Sequence, residues 1–349
     1  MNQTDLLICG NPGSTHVGAH LYGASKLLGL PAEIVDASAA SEGPAIAVRY
    51  NWWLRGRRPA RIKRFSQQLL EKCRALQPRW LLTTGHAPVE AEVLRAIGAM
   101  GITCANYSTD DPWNPALRAP WFLEGLPCYH HVFSPRRANL DEFLRAGCGQ
   151  VSYLPFAYNP KVHFWEDSAA ASPAGDRDRD VDHDVVFVGG ADRDRLPWVT
   201  ALIREGFKLG LYGGYWDRQG ATKPYAMGFA DPEALSRITS RSKVSLCLVR
   251  RANRDGHCMR SFEIPASGGC MLAEDTEDHR VLFGEEGRAV RYFSSIPEML
   301  EKTRWLLADA AERERLRHAT HRLIVTGQHT YADRLHSMMA AAVERAPTA

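Results

Sequence analysis

Asp184-Val185-Val186-Phe187-Val188-Gly189-Gly190 is the stretch whose reading decides the fold. An unbroken β-branched and aromatic run ends in a glycine pair, and an apolar-periodic segment over 196–205 follows. A short apolar run without alternation is a strand covered on both faces, as in a parallel sheet flanked by helices. The pattern repeats downstream. Strands are expected at 207–212, ending at Gly213-Gly214, then at 243–248, 270–273 and 289–292, with helices at 296–308 and 311–324. It also repeats upstream. Strands are expected at 6–9, 33–36, 80–84, 102–105, 131–133 and 151–154, with helices at 16–28 and 88–100. Strands joined through single helices imply doubly wound parallel sheets. Two such series predict two Rossmann-like α/β domains facing a cleft, with ligands at the carboxyl ends of the strands.

The break falls at 168–183, where Ser-Ala-Ala-Ala-Ser-Pro-Ala-Gly leads into alternating Asp and Arg without apolar periodicity. The expected organisation is a Rossmann-like domain over 1–165, a linker or loop over 166–183, a second Rossmann-like domain over 184–330, and a last helix over 331–349 that packs back on the first domain. Asp176, Asp178, Asp180 and Asp182 form Asp-x-Asp repeats resembling the metal motif of a different glycosyltransferase fold. A metal site needs a rigid frame, so the segment reads as a solvated polyampholyte.

Bulk properties narrow the function. A chain of 349 residues fits two domains, and a net charge of +3 is too mild for a nucleic-acid binder. The 8 cysteines are scattered with no C-x-x-C pair, which suggests reduced thiols and a cytoplasmic setting. No apolar run is long enough for a membrane span. No G-x-G-x-x-G follows a strand, which argues against a dinucleotide dehydrogenase.

The chemistry points to residues 253–269, where a Gly-containing loop (Asn253-Arg254-Asp255-Gly256-His257) enters a short helix that closes on Gly268-Gly269 before the next strand. Helix N-terminal amides there favour a phosphate. Glu263, among apolar neighbours, is suited to accept hydrogen bonds from two ribose hydroxyls; pairing with an arginine is the alternative. Glu274 is expected in the loop after the next strand, with no part in binding.

Phe187-Val188-Gly189-Gly190, Leu211-Tyr212-Gly213, Arg254-Asp255-Gly256 through Gly269, and His329-Thr330-Tyr331 with Arg334 together resemble the CgeB-like (spore-maturation-protein-like) glycosyltransferases. The resemblance implies a GT-B fold with a glycosyltransferase group 1 type of C-terminal domain. It implies a nucleotide diphosphate sugar as donor substrate, with no further cofactor and no metal. In group 1 enzymes an acidic pair lines the donor site. Its second member aligns with Glu263 on the ribose, and its first falls at Asp255 near the sugar, where the usual residue is Glu. Arg260 and Arg193 are expected on the diphosphate, with Arg195 equally well placed. Gly189, Gly190, Gly213, Gly256, Gly268 and Gly269 are expected to line the donor.

The first domain is left to an unidentified hydroxyl acceptor. His86 and Asp110 are the candidates for activating it, since a base must be a His or carboxylate exposed in the site. Turn capping is the alternative for Asp110-Asp111. Arg55-Gly56-Arg57-Arg58, beside Trp52-Trp53, reads either as a basic patch that meets an anionic acceptor or as a solvated loop. Hexose transfer is the leading function. The competing readings are a sugar-nucleotide epimerase of the same architecture and a degenerate member that binds a nucleotide sugar without turnover.

Overall fold

A computed structural model describes residues 4–165 and 181–343. The chain forms two compact units. One joins Met1–Pro155 to Tyr331–Ala349; the other is Phe156–Thr330.

The first unit is built on a parallel sheet of β1 (Leu6–Gly10), β2 (Ala32–Asp36), β3 (Trp80–Thr84), β4 (Thr103–Tyr107), β5 (His131–Ser134) and β6 (Val151–Tyr153), in the order β2-β1-β3-β4-β5-β6. Every residue of β1 is buried, as its unbroken apolar run requires in a sheet covered on both faces. The core gathers Leu7, Cys9, Leu81, Ile97, Val132 and Phe143. Helix Ile62–Leu76 was not expected, yet Ile62, Phe65, Ser66, Leu69, Leu70 and Cys73 recur at helical spacing and are its buried residues. Helix Ala45–Leu54 was also not expected, and it buries no residue.

The second unit repeats the plan with β7 (His183–Val188), β8 (Leu209–Tyr212), β9 (Ala226–Gly228), β10 (Ser242–Cys247), β11 (Met271–Glu274) and β12 (Arg291–Phe293). All are parallel in the order β12-β11-β10-β7-β8-β9. Each sheet reverses its direction of growth once, beside β1 in the first and beside β7 in the second. Such switch points open crevices at the carboxyl ends of the strands. The core packs Val185, Phe187, Leu211, Leu246, Leu272, Phe293 and Met299. The helix Pro232–Ser240 also escaped the periodicity reading, although Asp231 caps it by accepting from the Ala234 amide at 2.8 Å and proline follows at once.

The division between units falls at Pro155, ten residues before the expected boundary at 165. Residues 156–165 are tied into the second unit. Tyr158 pairs with Thr330, and the Val162 carbonyl accepts from Ser236 Oγ at 2.6 Å. The helix Tyr331–Val343 packs on Val17–Leu27 in the first unit. Tyr331 stacks there on His20 at 5.0 Å. Of the Asp-rich repeats, Asp176, Asp178 and Asp180 lie outside the described residues. Asp182 pairs with Arg241 at 3.3 Å. No helix among the described residues is long and apolar enough to cross a membrane.

Backbone approaches backbone closely at Gly18 in the first unit. A Cβ there would lie 2.8 Å from the Asn11 carbonyl oxygen and 3.1 Å from its amide nitrogen. Both are backbone atoms, so the helix Val17–Leu27 would have to retreat from β1. Gly18→Ala is expected to cost about 1–3 kcal/mol, the range for overpacking, read as a lower midpoint of thermal unfolding. Gly220→Ala, which meets nothing within 4 Å, is the control and should move it little.

Candidate functional site

In the second unit the polar residues converge at the carboxyl end of β7. Three successive carbonyls there each take a side-chain donor. Arg260 Nε donates to Val188 O at 3.1 Å, Trp216 Nε1 to Gly189 O at 2.8 Å, and Arg195 Nη1 to Gly190 O at 3.1 Å. Two guanidinium groups are thereby fixed at one strand end. Arg195 is 9% exposed, rests over the Phe187 ring and is 3.4 Å from Asp192. Arg193 is exposed. Asp192 Oδ1 accepts from the amides of Asp194 and Arg195 at 3.0 and 2.9 Å, and this turn leaves Arg193 outside. Arg195 is therefore the arginine that the loop after β7 carries to the strand end.

Glu263 lies on the helix Arg260–Ala266 and is 5% exposed. Its carboxylate is ion-paired with Arg260, one turn back on the helix. His163 Nε2 is 3.7 Å from its other oxygen. His163 Nδ1 accepts the Asn159 amide at 3.1 Å, which leaves the ring proton on Nε2, facing the carboxylate. The arginine pairing seen from sequence as the alternative is thus present. It supplies the counter-charge without which a carboxylate is not buried.

Four amides around this helix start are taken by local hydrogen bonds. Cys258 donates to Ser261 Oγ at 3.1 Å, Ser261 to the Cys258 carbonyl, and Phe262 and Glu263 to the Met259 carbonyl. The two arginines add positive potential beside this helix start. Asp255 is half-buried in the loop that enters the helix, with its amide on the Arg250 carbonyl at 3.3 Å.

The glycines divide by role. Gly189, Gly190 and Gly213 form the turns after β7 and β8. Gly213, at φ +130°, would place a Cβ 2.6 Å from Gly189 O, so only glycine lets the two turns approach. A Cβ on Gly256 would strike Asp278 Oδ2 at 2.3 Å. Gly268 ends the Glu263 helix at φ +71° with Trp165 packed against it, and Gly269 faces Thr239 and Ile264. This last pair serves packing at the far end of the helix.

Glu274 ends β11, 5% exposed, not in a loop as expected. It accepts the Val249 amide at 3.1 Å and Arg251 Nε and Nη2 at 2.8 and 2.6 Å. It fixes the loop after β10, so its removal strands a buried amide, which costs about 1–3 kcal/mol. Around it runs a buried chain that sequence reasoning missed. His279 Nδ1 is 2.7 Å from the Glu274 carbonyl, and its Nε2 is 2.8 Å from Ser261 Oγ. Burial lowers the His279 pKa to about 4, so the ring is neutral. Its Nδ1 proton then goes to the carbonyl, and Ser261 donates to Nε2. Among the described residues no group of three or more His, Cys, Asp or Glu is placed to hold a metal.

In the first unit His86 and Asp110 follow β3 and β4 at the carboxyl edge of the sheet. His86 packs on Phe122 at 4.7 Å, and its Nε2 is buried with no hydrogen-bond partner among the described residues. Burial lowers its pKa, while Asp110 and Asp111 oppose the shift, so the imidazole is neutral and Asp110 is near it. Asp111, 1% exposed, accepts the Trp113 amide at 2.9 Å and Asn139 Nδ2 at 3.0 Å. The turn-capping role therefore belongs to Asp111. Arg136, unnoticed in the sequence, is 2% exposed beyond β5 and donates to the carbonyls of Ser108 and Thr109 at 3.2 and 2.5 Å, holding the loop that carries Asp110.

Two Rossmann-like units, each a parallel sheet with its polar residues at the carboxyl edge, define a GT-B type α/β protein. Residues 195–340 match the family model described as glycosyl transferase-like. No curated protein sequence matches the chain. Among solved structures the chain is similar to sucrose-phosphate synthase from Thermosynechococcus elongatus, at 12% identity over 97% of this chain and 98% of that one, with a TM-score of 0.68. It is similar to α,α-trehalose 6-phosphate synthase from Burkholderia multivorans, at 12% identity over 100% of each chain and a TM-score of 0.61. It is also similar to MnaA from S. aureus, in a co-structure with UDP, at 12% identity over 97% of each chain and a TM-score of 0.56. At these identities the shared property is the fold.

Cys258 is the reactive side chain beside this cluster. Its Sγ is 3.9 Å from Cys247 Sγ. The hydrogen bond from Cys247 pulls its pKa down to about 6, with help from Arg195 and Arg260 and against burial and Asp255. The thiolate is the nucleophile, so iodoacetamide should label Cys258 in the folded protein with a rate that rises through about pH 6 and levels off by neutral pH. A rate still rising above pH 8, or one unchanged in Cys258→Ser, would show an ordinary thiol.

Proposed function

We propose that the chain is a glycosyltransferase that takes a sugar from a nucleotide diphosphate sugar and delivers it to a hydroxyl acceptor. The observation that carries this reading is Glu263, a carboxylate 5% exposed beside Arg260, His163 and the carboxyl end of β7. It lies inside the stretch that matches the glycosyl transferase-like family model. The resemblance to CgeB-like enzymes, and the pairing of UDP with a similar fold, support a nucleoside diphosphate as the ligand. In this reading Glu263 accepts the two ribose hydroxyls and Arg260 turns its guanidinium from Glu263 to the diphosphate. Arg195 adds charge at the strand end. Two arginines offset the charge that develops on a departing diphosphate, the task a metal performs elsewhere. Asp255 is proposed near the sugar. In the first unit neutral His86 takes the acceptor proton, with Asp110 beside it stabilising the imidazolium that forms.

Glu263→Gln keeps the volume and removes the charge. Hydrogen bonds to charged groups contribute about 1.5–3 kcal/mol, so nucleoside diphosphate binding should weaken roughly ten- to hundredfold. Isothermal titration reads this with whichever of UDP, GDP or ADP gives the largest thermal shift. Glu301→Gln, on an exposed helix position, is the control. A lower unfolding midpoint with unchanged affinity would show that Glu263 only neutralises Arg260.

The same reading makes the reaction independent of metal. Release of nucleoside diphosphate from the selected nucleotide sugar should persist in EDTA. Complete loss in EDTA with recovery on adding Mn²⁺ would refute the assignment of the arginines.

A further inference from the structure

The helix Ala45–Leu54 buries none of its residues. Its half-buried positions are Ala47, Val48 and Asn51, which share one face. Ile46, Arg49, Tyr50, Trp53 and Leu54 recur at i, i+3, i+4, i+7 and i+8 and so make another face. That face is open: Ile46 is 84% exposed, Tyr50 54%, Trp53 78% and Leu54 73%. Single exposed apolar residues need no explanation, but a contiguous stripe marks a contact surface.

The helix is not loosely attached. It ends in Gly56 and Arg57, both at φ +59°. The guanidinium of Arg57 donates to the carbonyls of Arg118 and Pro115 at 2.8 and 3.1 Å, and its own carbonyl accepts from Trp121 Nε1 at 3.3 Å. These bonds hold a bulky residue in a left-handed conformation it otherwise avoids.

Charge supplies the identity of the partner. Between Glu42 and Glu71 the chain has 7 basic residues and no acidic one. Arg57, Arg58 and Arg61 have structural partners within the unit. Arg49, Arg55, Lys63 and Arg64 are exposed and make no ion pair among the described residues. A face that joins Trp, Tyr, Ile and Leu to unpaired arginines matches a surface that is negative outside and apolar beneath. Aromatic rings settle at the headgroup level, aliphatic groups enter the acyl boundary, and arginines reach lipid phosphates. A nucleic acid would satisfy the arginines but leave Ile46 and Leu54 in water. At 1.5 Å per residue this helix is about 15 Å long, half of what a span requires. It can only lie on a bilayer.

We propose that the helix Ala45–Leu54 docks the first unit on an anionic lipid bilayer, with Ile46, Tyr50, Trp53 and Leu54 inserted and Arg49 and Arg55 on the headgroups. The full chain should co-sediment with vesicles of phosphatidylcholine and phosphatidylglycerol, bind phosphatidylcholine alone much more weakly, and dissociate as salt is raised. Trp53→Ser with Leu54→Ser should abolish sedimentation. Arg49→Gln and Arg55→Gln should each weaken it roughly fivefold, the equivalent of about 1 kcal/mol per cation. Because these side chains are exposed, the unfolding midpoint should not move. Absence of binding to anionic vesicles at low salt would overturn the proposal, and so would binding that all four substitutions leave intact. So too would light scattering that finds an oligomer dissolved by the Trp53 and Leu54 changes in a protein that ignores vesicles. Displacement from the vesicles by single-stranded RNA but not by phosphatidylglycerol micelles would assign the arginines to nucleic acid and overturn it as well.

Discussion

The carbonyl groups of Val188, Gly189 and Gly190 at the end of β7 impose the constraint on which the second unit's polar architecture depends. These half-buried acceptors lie where the parallel sheet ends, and side chains satisfy them. Arg260, Trp216 and Arg195 meet this demand. Each reaches in from a different segment, so three loops are referenced to one strand end. The two guanidiniums also bring positive charge to the place where a doubly wound sheet presents its crevice. Glu263 is stable in its buried position because Arg260 is already fixed there. Structural satisfaction and electrostatic preparation are the same set of bonds.

A parallel logic organises the first unit's carboxyl edge. Arg136 is spent on the carbonyls of Ser108 and Thr109, and Asp111 on the Trp113 amide and Asn139. These buried contacts hold the loop after β4, and they leave His86 and Asp110 as titratable neighbours. A buried set of polar groups behind the loop fixes where its other side chains stand. Cys258 shows the opposite case, a thiol whose pKa is lowered first by the hydrogen bond from Cys247 and further by the arginines, although the proposed reaction does not call on it.

Most strands were legible from short apolar runs, of which the fully buried β1 is the clearest; β9, half-buried to exposed, was not read from the sequence. The acidic residues of the candidate site were legible through spacing and family resemblance. What escaped the sequence did so for physical reasons. His163 lies in the segment that sequence assigned to the other domain, and its contact with Glu263 shows that it belongs to the second unit. Arg195 and Arg193 are chemically equivalent on paper; the Asp192 turn separates them. Glu274 looked like a bystander because nothing in one dimension shows that the Val249 amide and Arg251 fold onto it. Helix Ala45–Leu54 escaped because Trp52-Trp53 and the run Arg55–Arg58 were read together as an irregular region, although Ile46, Tyr50, Trp53 and Leu54 recur at helical spacing. Arg136 had a usable signal, since a charged residue just beyond an apolar strand belongs to the carboxyl edge.

The first unit is discontinuous, and this sets an order on its assembly. Its last helix buries Tyr331, Leu335 and Met338, while Arg334 Nε donates to the Pro155 carbonyl at 2.8 Å, beside the Tyr107 hydroxyl at 3.0 Å. During synthesis the residues of the second unit, Phe156–Thr330, are all made before that helix exists. Domains tend to fold as they emerge, the earlier one first. Here the unit begun first on the ribosome is the last to have its full core, and the face of Val17–Leu27 that awaits the final helix stays uncovered for the whole of the intervening synthesis. An apolar face exposed for that long is a target for chaperones and an opening for misassembly, so the burden of quality control falls on the amino-terminal half of the chain.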